Sequence, residues 1–265
     1  MNLHAAVIQY APTTDKAANL ELIEELIARA AQRGAELAVL PEYAIYSKPG
    51  VDESFVTSAE PLDGPTVTSL MQLSVEYNIA LIAGVNEPDG HGRIHNTLLG
   101  ISENAIQATY RKVHLYDAFG AQESQWVVPG MIQTPQIFDV KGFKIGLQTC
   151  YDLRFPEASR VLVDAGADIL AIPAAWVPGP LKEFHWSTLL HARAIENTVY
   201  VLAAGQSAPI GIGHSSIIDP MGISVAMIGE DIGIAHAEIS AERIAAVRAL
   251  NPAVAGRRFS VRPKE

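Results

Sequence analysis

Apolar positions along the chain follow two rhythms: unbroken runs of strand length, and longer segments in which they recur at helical spacing. Residues 4–9 read as a first strand. Residues 19–33 follow as a helix with Leu22, Leu26, Ile27 and Ala30 on one face, and Gly34 stands where a helix would stop. The segment ELAVLPE then supplies a buried strand at 36–40, ended by Pro41, with Glu42 just past its end. Pro65 suits the first turn of a second helix, which runs to residue 77 and leads into the strand IALIAGV.

Two further runs, 97–101 and 105–110, flank polar Ser102, Glu103 and Asn104 and predict an antiparallel hairpin that delivers Arg111 and Lys112 at its end. Residues 114–134 have no clean period. Structureless stretches of that length in a compact domain are usually functional or disordered, and this one reads as the wall of an active site. FKIGLQTC is a strand with Cys150 at its carboxyl end, RFPEASRVLVDAG a helix ending at Gly166, and ADILAIP the next strand, which together make a βαβ unit. A helix over 181–197 spaces Trp186, Leu189, Leu190, Ala194 and Ile195 for packing; strands follow near 199–204, 216–218 and 223–228, and a last helix covers 241–250. No linker, low-complexity tract or internal repeat divides the chain. Residues 1–265 therefore read as one α/β domain, a sandwich of mixed sheets covered by helices.

With 265 residues, 49% hydrophobic and 18% charged, the chain can bury a large core. The opening MNLHAAVIQYAPTTDK lacks the basic start and apolar core of a leader, and no apolar run nears the roughly 20 residues that cross a bilayer, so a cytoplasmic protein is expected. A net charge of -10 without a dense Lys/Arg cluster argues against nucleic acid or an anionic membrane as partner and for a small molecule. The single cysteine, Cys150, can form neither an internal disulfide nor a Cys-rich zinc site, so its role is packing or chemistry. Among the histidines, His91 and His95 have ligand-like spacing but lie in the turn sequence DGHGRIHN, and His185 and His191 are six apart on a helix, off one face; a metal hydrolase is disfavoured. GIGHSS lacks the third glycine of a dinucleotide fingerprint.

Ligands of open α/β sheets gather outside the carboxyl ends of strands, and Glu42, Lys112 and Cys150 all fall at or just after such ends. A thiol is mostly protonated near neutral pH and needs a base or a neighbouring positive charge to attack a carbonyl carbon. Glu42 can supply the base. Lys112 can supply the charge, favouring the thiolate and stabilising the oxyanion that develops on the carbonyl. Each residue alone has an ordinary reading, as a small buried hydrophobe, a loop carboxylate and a solvated lysine.

LPEY around Glu42, YRKVHLYD around Lys112 and CYDLRFPE around Cys150 resemble the three signature blocks of the nitrilase superfamily of carbon–nitrogen hydrolases, in that family's order; HWSTLLHARAIEN, YVLAAGQ and GHSSIIDPMG are similar too. The resemblance spans nearly the whole chain. It implies a four-layer αββα sandwich with two mixed sheets, a homodimer or higher even homo-oligomer, no metal or other cofactor, and a Glu42, Lys112, Cys150 triad. It also implies that Glu123, in ESQWVVPG, positions substrate and Lys112, where the plain alternative is an exposed lid carboxylate. The implied reaction has two steps. Glu42 takes the thiol proton as Cys150 attacks the amide carbon; Lys112 and the backbone N–H of Tyr151 hold the tetrahedral intermediate; ammonia leaves, and water activated by Glu42 releases the acid from the thioester. The polar tail 251–265 resembles the family's segment that crosses to a partner subunit.

CYDLRFPE looks like the branch of ω-amidases and deaminated-glutathione amidases, with N-carbamoyl hydrolases next and a general aliphatic amidase a further alternative. The connection from Gln206 to His214 departs from that branch in being short, and Ile212 stands where an aromatic is common. A small linear amide with a distal carboxylate, an ω-amide of a dicarboxylic acid, is the expected substrate. Its carboxylate would meet a local cation, for which Arg154, Lys182, His185 and Arg193 are candidates, unless Arg154 and Arg193 merely pair with Glu157 and Glu196. A catalytically silent binding domain is the reading from another class, and fast labelling of Cys150 near neutral pH would speak for the enzyme.

Overall fold

The computed structural model describes residues 1–132 and 134–264; Gln133, in the expected turn-rich stretch, and Glu265, at the end of the expected tail, lie outside the described residues. The first half contains β1 (Asn2–Gln9), α1 (Lys16–Gln32), β2 (Leu37–Val39), α2 (Glu53–Ser58), α3 (Pro65–Glu76), β3 (Ala80–Pro88), β4 (Ile94–Ser102) and β5 (Ala105–Arg111). The second half contains β6 (Ile137–Val140), β7 (Phe143–Leu147), α4 (Pro156–Asp164), β8 (Ile169–Ala174), α5 (Lys182–Asn197), β9 (Tyr200–Gly205), β10 (Ser216–Ile218), β11 (Ser224–Met227), β12 (Gly233–Ser240) and α6 (Ala241–Leu250). Short 3₁₀ turns cover Glu123–Gln125 and Cys150–Arg154. Among the described residues no helix is long and apolar enough to cross a membrane.

The strands form two six-stranded mixed sheets, ordered β12-β1-β2-β3-β4-β5 and β11-β10-β9-β8-β7-β6. In each, a parallel centre (β1-β2-β3 and β7-β8-β9) is flanked by antiparallel pairs. Side chains alternate between faces along a strand, and the burial follows that period. From β1, Leu3, Ala5 and Val7 join Leu37, Ile82, Phe138, Ile145, Ile169, Leu202 and Ile217 in a core between the sheets. Ala6 and Ile8 turn the other way, onto Ile23, Leu26 and Ile27 of α1 and Leu70 of α3. From the second sheet, Leu170, Ile172, Val201 and Ala203 pack on Leu162 of α4 and on Trp186, Leu190 and Ala194 of α5. The chain is thus the four-layer αββα sandwich. Strands covered on both faces show no polar alternation, which is why ILAIPA is buried throughout.

The structure departs from the sequence reading at several edges. Helix α1 begins three residues earlier than 19, at Lys16, because the Asp15 carboxylate caps Ala17 and Ala18 N–H at 3.0 and 3.1 Å. The strand expected over 143–150 ends at Leu147, leaving Cys150 in the 3₁₀ turn beyond. The short edge strand β6, the strand β12 and the helix α2 had no strong pattern to announce them. β12, GIAHAEIS, carries His236 and Glu238 at positions that are not fully buried, and it is placed by eight partners along β1.

The two sheets meet at the ends of β1 and β9, where Tyr10 and Gln206 form an isolated bridge. From there Gln206 Nε2 donates 2.8 Å to the backbone oxygen of Glu42, so a residue on the second sheet holds the loop after β2 of the first. The same loop rests on Gly84 of β3. A Cβ at Gly84 would stand 2.8 Å from Tyr43 N and 3.0 Å from Glu42 Cα, closer than atoms can sit. Gly84→Ala is therefore expected to lower stability by about 1–3 kcal/mol and, unlike an ordinary overpacked position, to reduce turnover as Glu42 shifts. Thermal unfolding with kinetics on the folded fraction checks this; wild-type turnover in a folded Gly84→Ala protein would refute it.

Candidate active site

Lys112, immediately after β5, is 2% exposed, and its ammonium lies between two carboxylates. Nζ donates 2.9 Å to Glu42 Oε1, 3.0 Å to Glu123 Oε1 and 2.9 Å to Glu123 Oε2. Burial works against the charge, but Glu123 and Glu42 outweigh it and hold the Lys112 ammonium well above its ordinary range. Each carboxylate has its own further donors. Glu42 Oε1 accepts Asn96 Nδ2 at 2.6 Å and Oε2 accepts the N–H of Ala175, after β8, at 2.6 Å. Glu123 Oε1 accepts the Tyr43 hydroxyl at 2.7 Å and Oε2 the N–H of Tyr116 at 2.6 Å. Glu123 is accordingly a buried residue, not an exposed lid carboxylate.

Cys150 is buried and adopts φ +46°, a left-handed conformation unusual for a residue with a Cβ. Tyr43, next to Glu42, does the same at φ +52°. Such backbone costs on the order of 1–3 kcal/mol and persists only where its surroundings over-determine it, a pattern that clusters at functional sites. Burial pushes the Cys150 thiol well up, the carboxylate of Glu42 pushes further, and Lys112 pulls back only in part. Lys112 thus favours the thiolate in the expected direction, while burial and Glu42 oppose it.

Cys150, Glu42, Lys112 and Glu123 open into one cavity of about 660 Å³, which Arg154, Lys182 and the aromatic residues Tyr116, Tyr151, Phe119 and Trp176 also line. Lys182, 4% exposed, donates 2.6 Å to the Tyr116 hydroxyl and sits 4.3 Å from the Phe119 ring centre. Burial first, and then Arg154, lower its pKa. The Arg154 guanidinium lies 4.8 Å from the Trp176 ring and 5.5 Å from that of Phe119, with Nε buried and unpartnered. Among the described residues neither cation meets a carboxylate, so the anticipated Arg154 to Glu157 pair does not form. The other two candidates stand apart from the wall. His185 backs Arg154, 3.4 Å from Nη2, and Arg193 is structural, holding Glu196 Oε1 at 3.0 Å and the Leu153 carbonyl at 2.6 Å.

Asn96, Tyr43 and Gln206 were not singled out from the sequence. The available signal was slight: a polar Asn inside the apolar run IHNTLL, where burial demands a partner. With burial and Glu42 raising the Cys150 thiol, iodoacetamide should modify it at pH 7.5 at least about tenfold more slowly than free cysteine. Mass spectrometry over time measures this, and a rate matching or exceeding free cysteine would contradict the raised thiol. Fast labelling is the mark of an enzyme expected from the sequence; burial of the thiol sets the expectation the other way, and the measured rate decides between them.

Comparison with known proteins follows the same lines. The pattern of the carbon-nitrogen hydrolase family matches residues 4–249. A deaminated glutathione amidase of Escherichia coli O157:H7 is 42% identical over 252 residues, covering 95% of this chain and 96% of that protein. One of Rattus norvegicus is 38% identical over 252 residues, 88% of this chain and 76% of that one. Saccharomyces cerevisiae Nit3, a solved member of branch 10 of the nitrilase superfamily, superposes with a TM-score of 0.86 at 30% identity over 97% of each chain. The chain belongs to the carbon-nitrogen hydrolase family and is a hydrolase of carbon–nitrogen bonds other than peptide bonds.

Proposed function

We propose that this protein is a cysteine amidase that cleaves a small linear amide through a thioester on Cys150. The observation that carries the reading is the opening of a thiol, a buried ammonium and two carboxylates into one cavity. Glu42 is the base, and its hydrogen bonds select the oxygen that acts. Oε1 already accepts from Lys112 and Asn96, which fills its two lone pairs, whereas Oε2 accepts only Ala175 N–H. The thiol proton therefore passes to Oε2 as sulfur bonds to the amide carbon. Lys112 and the N–H of Tyr151 receive the oxyanion, Glu42 returns the proton to the departing nitrogen, and ammonia, or an amine, leaves. A water deprotonated by Glu42 then releases the acid. Glu123 positions Lys112. Conversion in a Cys150→Ala variant should fall by at least about 10⁴-fold with the fold intact, and Glu42→Gln should accumulate an acyl adduct on Cys150 alone, visible in intact mass. Turnover in Cys150→Ala, or an adduct elsewhere, would end the proposal.

The substrate reading rests on Arg154 and Lys182. Two cations on one aromatic wall, without a carboxylate among the described residues, suit an anion supplied by the substrate, as in ω-amides of dicarboxylic acids. They would also repel an ammonium beside that carboxylate. The E. coli and rat relatives act, by name, on a deaminated compound, and the same preference for an acid without its amino group is proposed here. A homodimer belongs to this reading too: Phe184 and Ile195 of α5 and Phe259 of the tail expose apolar surface that a partner subunit would cover. For the substrate, kcat/KM for an ω-amide acid should exceed that for its methyl ester by tenfold or more, about 1.4 kcal/mol. Equal rates would remove the carboxylate clamp and leave a general aliphatic amidase.

A further inference from the structure

One carboxylate near the site is used by none of these steps. Asp152, two residues past Cys150, is fully buried, and all four of its acceptor positions are taken. Oδ2 accepts the Thr149 N–H at 2.9 Å and the Tyr110 hydroxyl at 2.7 Å. Oδ1 accepts the backbone N–H of His114 at 3.1 Å and lies 2.7 Å from His114 Nδ1. His114 is the one basic side chain against it among the described residues. The donors come from the segments that carry the chemistry. Thr149 immediately precedes Cys150, and Tyr110 and His114 stand two residues to either side of Lys112.

We propose that Asp152, oriented by His114, is a positioning residue that fixes the nucleophile turn against the strand end bearing Lys112, and so sets the approach of the Cys150 sulfur to the oxyanion donors. The inference rests on Cys150 as nucleophile and Lys112 as oxyanion donor. Three observations support it. The Thr149 to Asp152 bond restrains the residue before the strained Cys150, whose left-handed backbone needs such an outside hold. The His114 ring stacks on Phe155, at the far end of the same turn, at 3.8 Å and 9°, so the turn is gripped at both ends. Lastly, a fully buried carboxylate without a Lys or Arg partner is poor value for stability compared with apolar packing, which points to a geometric use.

Misalignment of about 1 Å can slow an enzyme about 100-fold, which sets the scale of the test. Asp152→Asn keeps the shape but turns one acceptor oxygen into a donor facing other donors. With succinamic acid as substrate, its kcat should fall about 100-fold while KM stays within threefold of wild type. Succinic semialdehyde gives a second readout. The Cys150 sulfur adds to its aldehyde carbon as the C=O π bond opens, the thiol proton passes to Glu42, and the oxygen is left on the oxyanion donors. Inhibition by the aldehyde should weaken in step with kcat, while inhibition by succinate, which forms no such bond, should stay within threefold. Tyr110→Phe, which removes one donor of four and retains the charge, should lose about 3- to 10-fold in kcat and carries the test if Asp152→Asn does not fold. A folded Asp152→Asn enzyme with kcat within threefold of wild type, an unchanged kcat in Tyr110→Phe, or parallel losses for aldehyde and succinate would each overturn the proposal. Turnover by Cys150→Ala in the same assay would instead sink the reading beneath it.

Discussion

A buried ammonium between two buried carboxylates organises this protein. At the effective dielectric of a protein interior each contact of that kind carries several kcal/mol of attraction, but desolvating three charges costs a similar amount, so the cluster gains little net stability. What it fixes is geometry. Removing any one member would strand a buried charge, at about 3–5 kcal/mol. Every remaining lone pair of the two carboxylates must also be met or left free by design, which accounts for Asn96, Tyr43, and the N–H groups of Ala175 and Tyr116 converging on Glu42 and Glu123. Burial also keeps Tyr43 a hydroxyl donor, since desolvation and the charges of Glu123 and Glu42 all raise its pKa.

The two-sheet architecture is the means of assembling that cluster. Glu42 and Lys112 emerge from the first sheet, Cys150 and the Ala175 N–H from the second, and the apolar core between the sheets brings their ends together. Direct ties then remove the residual freedom. Gln206 grips the Glu42 backbone, Ala175 grips its side chain, and Tyr110 reaches across to Asp152. Gly84 matters for the same reason, since its missing side chain is the space in which the Glu42 loop lies.

The cavity's charges divide between those that are answered and those that are not. Lys112 is neutralised internally, and Lys48, also on the wall, pairs with Asp52 at 2.5 Å. Arg154 and Lys182 are supported by aromatic rings and a phenol, partners that solvate a cation without cancelling it. A chain with a net charge of -10 thus keeps a local positive wall beside its thiol, whose pKa burial and Glu42 raise.

The sequence by itself determined the alternation of strands and helices, one hairpin and one βαβ unit, and the position of Glu42, Lys112 and Cys150 at or just past strand ends, because hydrophobic periodicity and chain breaks act over a few neighbouring residues. Its signature blocks carried the family and, through it, the four layers. It left β12 and β6 unseen, since an edge strand draws its identity from its partner, here β1 or β7, and not from its own pattern. It left the contacts of Asn96, Gln206 and Asp152 unseen for a related reason. A buried polar residue is recognised by what it meets, and those partners lie 54, 164 and 42 positions away. The tertiary structure alone decided that Arg154 and Lys182 face the cavity while Arg193 packs behind it. Three basic residues near one helix look alike in sequence; which of them finds a carboxylate depends on how α5 sits against the turn that bears Cys150.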